Sequence, residues 1–421
     1  MRRRITMART GIICSVLIMA VFVGFQLTSL TGRDSPDSKN YLSYALRLSG
    51  ESRASATAQA IEYTCADEAG EPLVRECVRK LTKSTAYWTR HGNTTGMTGP
   101  FFNSRFMAIY EARPGYPLLL VPFIAVFGLA LGVWLAGVTV ALAGSLFVLA
   151  TLRAAGANWA AALCGQILYL TLPTGAIAML PMADGLTLAC TAAVALGCTP
   201  ALRGERGTAG AALVTGGLAV AFLARYSQAL LLAVGLAAAF GGLAWYRKRH
   251  GRSPHSALRL FALCGALAVA MQLTTYVLGW PSGYDSAQDL LTHHYLRPDV
   301  PDPWPRFLAE EGTFWSAWAD HQLKEPLLLI TLALAACSTL RRPTHIGVLA
   351  AATAVGGVLN QAGHPNLDML AGQRLIVLIW FLPILTIPLL LTGRGEAGRR
   401  QAFSLTPSPH LESYSARSLD E

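Results

Sequence analysis

The feature that most narrows what this chain can fold into is a recurrence of long apolar runs, separated by short loops rich in arginine. The runs cover residues 8–30, 115–131, 132–152, 158–178, 183–199, 208–224, 226–245, 256–279, 326–340, 345–360 and 374–392. Most approach the ~17–25 residues a helix needs to cross a bilayer. Only 14% of the 421 residues are charged, against about 25% in soluble domains. The chain therefore reads as an all-α polytopic membrane protein. Its formal charge of +10 does not point to nucleic acid, because the basic residues lie between the apolar runs, where they act as topology signals. Abundant alanine and an excess of arginine over lysine fit a GC-rich bacterial genome.

The first run follows "MRRRITMART". No small-residue cleavage site follows it, which favours a retained helix with a cytoplasmic N-terminus over a signal peptide. Counting all eleven runs as spans puts Arg153, Arg203, Arg206 and the cluster at 246–252 outside, against the positive-inside rule. One change removes the conflict. The run 115–131, "GYPLLLVPFIAVFGLAL", can be a short re-entrant or interfacial element on the outer face, provided it packs against protein. Ten spans then remain, with both termini cytoplasmic. Arg153, Arg203, Arg206, the 246–252 cluster, Arg341, Arg342, Arg394, Arg399 and Arg400 all fall on the cytoplasmic side. The membrane domain covers 1–392, with a long first outer loop at 31–131 and a second at 280–325. The polar tail, 393–421, reads as disordered and cytoplasmic.

This layout gathers a set of polar residues on the outer face. Asp34 and Asp37 lie in "GRDSPDSKNYLSYALRL", residues 32–48, ahead of an amphipathic segment; Arg113 closes the first loop. Asp184 and Arg225 sit between apolar runs with almost no loop around them. His293, His294 and Arg297 lie in "HHYLRP", and His364 and Arg374 precede the last run. Each has a plain structural reading. Ser35, Asp37, Ser38 and Asp184 can cap helices, Arg225 and Arg374 can anchor at the interface, and the histidines can be loop residues. Charges at this depth are costly, however, and by default mark a functional site. Of the eight cysteines, Cys65 and Cys77 lie in the polar segment "CADEAGEPLVREC". If that segment is outside the cell, a disulfide between them is expected. The other six lie in or beside apolar runs as small packing residues. No metal-ligand spacing is apparent.

In order, topology and short motifs, the chain from its first helix to about residue 392 resembles the GT-C superfamily of polyprenyl-phosphate-sugar glycosyltransferases. Within it, the resemblance is to the family 39 group of protein O-mannosyltransferases and aminoarabinose transferases. "PDSKNY" is similar to the acidic motif that opens the family's first outer loop, with Asp37 in the aspartate position and Ser38 replacing a second acid. That departure leaves Asp34 as an alternative carboxylate. "ARPGYPLLL" resembles the loop's basic end, through Arg113. Asp184 looks like the second outer aspartate and Arg225 like the later basic residue. "HHYLRP" is similar to the family's His and Arg pairing, and "QRLIVLIWFLPILTIPLLL" resembles its closing helix.

The resemblance implies transfer of a sugar from a polyprenyl-phosphate donor to an acceptor hydroxyl on the extracytoplasmic face, with inversion. Asp37, or second to it Asp34, is expected to act as general base. A nearby carboxylate would stabilise oxocarbenium character at the anomeric carbon, and Asp184 would orient the sugar or a basic residue. Arg113 and Arg225, with Arg297, Arg374, His293 and His294, are the candidates for holding the departing phosphate. The amphipathic segment after Asp37 is expected to lie along the interface and hold that carboxylate at headgroup depth. No cofactor is implied, although the Asp34–Asp37 pair can help hold a divalent ion if further oxygens join it. The implied partners are the lipid-linked donor, a glycan, lipid or protein acceptor, and membrane lipids. A different class, a transporter or a non-catalytic scaffold, would place charges near the midplane and show internal repeats. No clear repeat is present, and the charges gather at one surface.

Overall fold

The computed structural model describes residues 2–28, 35–66, 68, 70–204, 207–341, 344–367 and 374–392. Asp34, Arg206, Arg342 and the tail at 393–421 lie outside the described residues. Among the described residues every regular element is helical. Helix α1 (Arg2–Gln26) precedes five helices of the first loop: α2 (Ser38–Leu48), α3 (Arg53–Cys65), α4 (Glu71–Arg90), α5 (Ser104–Glu111) and α6 (Gly115–Phe127). The bundle continues with α7 (Leu129–Ala154), α8 (Trp159–Thr171), α9 (Pro173–Ala178), α10 (Ala183–Leu202), α11 (Gly207–Ala224), α12 (Tyr226–Arg249) and α13 (His255–Val277). Then come α14 (Gly283–Leu291), α15 (Pro303–Lys324), α16 (Leu327–Arg341), α17 (His345–Ala362) and a closing segment, Val377–Leu391, of mixed α and 3₁₀ turns.

Among the described residues, seven helices are long and apolar enough to cross a membrane: α1, α7, α10, α11, α12, α13 and α17. An eighth span exists if α15 and α16 act as one, broken by 87°. Pro326 sits in that break and cannot continue the helical hydrogen bonding. Helix α8, α6 and the closing segment are shorter. The protein is a helical, multi-pass membrane protein.

Helix α6 is the run that violated the charge rule. At 13 residues it rises about 20 Å, short of a hydrocarbon core of about 30 Å. It turns back onto α7 at Gly128, whose φ of +74° suits glycine. Between α13 and α16 lie two further helices, α14 and α15.

Helix α10 forms the centre. It is rich in Ala, Gly, Thr and Cys, is buried over most of its length, and packs on α7 and α11. Small residues let backbones close in where no hydrophobic force drives association. A Cβ on Gly197 would lie 2.7 Å from the Gly210 carbonyl oxygen of α11.

The two ends of the bundle differ chemically. At one end Arg203 donates to the carbonyls of Ala154 and Ala155 at 2.6 and 2.8 Å. Ser256 donates to Leu202 O at 3.1 Å, Arg247 to Ser256 at 2.8 Å, and Asn158 to Leu391 O at 3.2 Å. Arg203 thus covers the C-terminus of α7, which carries partial negative charge. The opposite end of α10 carries Asp184.

Candidate functional site

Asp37 is the residue immediately before α2, yet its side chain makes no cap hydrogen bond. Its Oδ1 accepts from Tyr110 Oη at 2.6 Å, and its Oδ2 accepts from Arg374 Nη2. The same guanidinium donates through Nε to Asp184 Oδ2 at 3.0 Å. Asp184 Oδ1 accepts from Arg225 Nη1. A continuous chain of groups, Tyr110–Asp37–Arg374–Asp184–Arg225, therefore crosses the end of the bundle. Helix α2 does not lie free on a surface: both its apolar and polar residues, Tyr41, Leu42, Ser43 and Tyr44 among them, are buried.

Local structure explains each placement. Arg225 alone connects α11 to α12, so its side chain emerges at the mouth of a helical hairpin. Asp184 lies in the first turn of α10, where free backbone N–H groups favour an anion. Gly185 beside it permits close contact: a Cβ there would lie 2.8 Å from Ala178 Cα. Arg374 precedes the closing segment, which approaches α17 at Gly357; a Cβ at that position would lie 2.8 Å from Ile379 N. Asn360 Nδ2 donates to Leu375 O at 2.7 Å. Burial by itself raises a carboxyl pKa. At Asp37 the Arg374 charge and the Tyr110 hydrogen bond override it and hold the carboxyl well below the usual carboxylate range. Burial and the Asp37 charge push the Tyr110 phenol up, so it remains a donor.

The chain of groups forms one wall of a cavity of about 1020 Å³. Asp37, Arg113, Arg225, Arg374, Asp289 and His294 line its polar side, and Leu230, Leu231, Tyr276, Trp280, Trp304 and Phe307 its apolar side. Trp280 stacks on Phe222 and packs against Tyr226. Arg113 differs from the other two arginines. Among the described residues it forms no ion pair. Its Nη1 reaches Tyr41 Oη at 3.5 Å and its buried Nε has no hydrogen-bond partner. Two of the three guanidiniums are thus held by carboxylates, and Arg113 stands at the cavity wall outside those ion pairs.

The turn after α14 forms a second polar cluster. His293, His294 and Tyr295 have φ values of 51°, 63° and 58°, a left-handed run that costs non-glycine residues about 1–3 kcal/mol each. Hydrogen bonds hold it. His294 N donates to Asp289 O at 2.8 Å, Tyr295 N to Thr292 Oγ1 at 2.9 Å, Tyr295 Oη to Asp285 O at 2.7 Å, and Asn103 Nδ2 to His294 O at 2.7 Å. Arg105 of α5 adds ion pairs to Asp299 at 2.7 Å and Asp285 at 3.3 Å. The segments around α5 and α14 are thereby fastened together.

Asp37, Arg113, Arg225, Arg374 and His294 line this cavity, and Asp184 lies buried behind Arg225 and Arg374. His293 and Arg297 are exposed and do not line it. Asp34 lies outside the described residues. Cys65 and Cys77 form a disulfide between α3 and the first half of α4. Tyr110 and Asp289 were absent from the candidates the sequence yields. Tyr110 lies three residues before Arg113, a spacing that one helical turn brings together. Asp289 lies five residues before His294, with no motif to mark it. No group of three or more His, Cys, Asp or Glu side chains with metal-binding geometry occurs among the described residues. Comparison with family models, curated proteins and solved structures yields no match.

Proposed function

We propose that the protein is an integral membrane glycosyltransferase that moves a sugar from a polyprenyl-phosphate donor to an acceptor hydroxyl, with inversion. Arg113 carries this reading: a guanidinium with no carboxylate partner among the described residues, at the wall of a cavity whose other side is apolar and aromatic. An amphiphile with an anionic head fits such a cavity. Phosphate oxygens match the guanidinium fork, and an isoprenoid matches the surface around Trp280, Trp304 and Phe307. Arg113 receives the charge that develops on the departing phosphate, where a fixed cation in a low-dielectric site acts strongly. Asp37 and Asp184 hold Arg374 and Arg225 in position, and Asp37 offers a fixed negative charge to an oxocarbenium-like centre.

The reading carries a topology. Ten spans, with α8, α16 and the closing segment among them, set both termini in the cytoplasm of a bacterial cell. The arginine-rich end of the bundle faces the cytoplasm, and the cavity opens to the extracytoplasmic side of the plasma membrane. A transporter reading draws less support, because Asp184 and Arg225 sit at span ends and not near a midplane.

The test is binding and turnover of radiolabelled polyprenyl-phosphate-mannose by purified protein, with D37A and R113A in parallel. Binding by wild type and D37A, weakened in R113A, with turnover reduced in both variants, is the expected result. Failure to bind this donor or any other polyprenyl-phosphate sugar would return the protein to the transporter or scaffold class.

A further inference from the structure

Two acidic groups on the polar side of the cavity are built for different work. Asp37 has both carboxylate oxygens engaged, one by Tyr110 and one by Arg374. A carboxylate held in this way is a good fixed charge and a poor proton acceptor. Asp289 is 6% exposed at its side chain, and the His294 imidazole in front of it is 42% exposed. Their contact, Nδ1 to Oδ1, is 3.0 Å. A carboxylate can only accept, so Nδ1 carries the hydrogen and Nε2 is left as the ring's proton acceptor. The ring is clamped against Phe106 and Phe102, with centroids 4.5 and 5.7 Å away. Its backbone is kept in the left-handed region by the hydrogen bonds described above. A buried carboxylate behind an oriented, accessible imidazole in a substrate-sized cavity is the geometry of a general base.

We propose that His294, oriented by Asp289, accepts the proton of the acceptor hydroxyl, and that Asp37 remains ionised throughout as a fixed charge. The proposal rests on the glycosyl-transfer reading. In the step, the acceptor O–H bond breaks and its proton moves to His294 Nε2. The acceptor oxygen forms the new bond to the anomeric carbon. The bond from that carbon to the phosphate oxygen breaks, and its electron pair leaves on the lipid phosphate beside Arg113. Asp289 is a positioning residue, acting through the ring.

Other charges around the imidazole act in known directions. The Asp289 hydrogen bond raises the His294 pKa above its ordinary value, partial burial opposes it, and the charges of Asp289 and Asp37 add to the rise. His364, in the turn after α17, faces the same region and is itself lowered by burial. Arg105 is engaged with Asp285 and Asp299. The base is therefore free only above an imidazole pKa raised from about 6.5, and transfer rises with pH through that region.

The experiment uses full-length protein and labelled polyprenyl-phosphate-mannose, with n-octyl mannoside and water as hydroxyl acceptors, between pH 5.5 and 9. Wild type is expected to show an ascending limb in kcat/KM centred above 6.5. H294Q should lose about 100-fold or more in kcat, lose that limb, and keep donor affinity within about twofold, which also reports a folded protein. D289N should move the limb to lower pH. Wild-type kcat and an intact limb in H294Q, or loss of the limb in D37N instead, overturns the assignment while leaving glycosyl transfer standing. If wild type transfers mannose to neither acceptor and binds no donor, the glycosyl-transfer reading fails and this assignment falls with it.

Discussion

Asp37 and Arg374 are 337 residues apart in sequence and form an ion pair that ties the start of α2 to the approach of the closing segment. Arg374 is also the link between the two carboxylates, since its Nε is held by Asp184. One side chain thus joins the start of α2, the central helix α10 and the last apolar segment.

Replacing Asp184 tests that linkage. The D184A change leaves Arg225, which is 5% exposed, facing no carboxylate and removes one of the two partners of Arg374. Breaking a buried pair by removing one member costs about 3–5 kcal/mol. Thermal unfolding of the detergent-solubilised variant should show a large drop in Tm, and R225A should behave similarly. Wild-type Tm in both would mean that the pair contributes little.

The pH dependence of the Asp37 contribution has a defined sign. Its pKa is depressed in the folded protein, so its stabilisation is complete above the unfolded value of about 3.9 and fades only as pH falls toward the lower folded value. The Tm difference between wild type and D37N should stay constant from pH 8 to pH 5. A difference that narrows within that range would contradict the paired, ionised state.

Gly185 sets the distance between α9 and α10. The G185V side chain would meet Ala178 Cα, which a bare Cβ already approaches to 2.8 Å. Overpacking of this kind costs about 1–3 kcal/mol, and here it also displaces Asp184. Weaker binding of polyprenyl-phosphate-mannose together with a lower Tm is expected. A Tm loss with wild-type donor affinity would show that the displacement does not reach the cavity.

The disulfide can be counted directly. Under denaturing, non-reducing conditions six cysteines should react with a maleimide, since Cys14, Cys164, Cys190, Cys198, Cys264 and Cys337 are free. After reduction all eight should react. The paired C65S/C77S variant should lose about 2–4 kcal/mol of stability, read as a lower Tm. Eight reactive thiols before reduction would exclude the bond.

Much of this architecture is local and therefore legible in the chain. Apolar runs mark helices, and Pro326 and Gly128 mark a break and a reversal. Charge alone sets the 115–131 run apart from the other apolar runs, and a 13-residue helix occupies most of it. Short turns at Asp184 and Arg225 confine those charges to one end. The amphipathic look of 38–48 was less informative. An amphipathic pattern reports two unlike faces without saying what covers them, and in α2 protein covers both.

The sequence by itself determined that this is a helical membrane protein with acids and arginines collected at span ends. Those properties depend on a hydrophobicity period and on charge position, which act over a turn or a loop. Only the tertiary structure decided which charges meet. Arg374 pairs with Asp37 and Asp184, Arg113 pairs with neither, and Asp289 supports His294. Such choices depend on how closely helices approach, through contacts such as Gly185 on Ala178 and Gly357 on Ile379. Partners separated by up to 337 residues leave no local pattern, because the packing of the whole bundle brings them together.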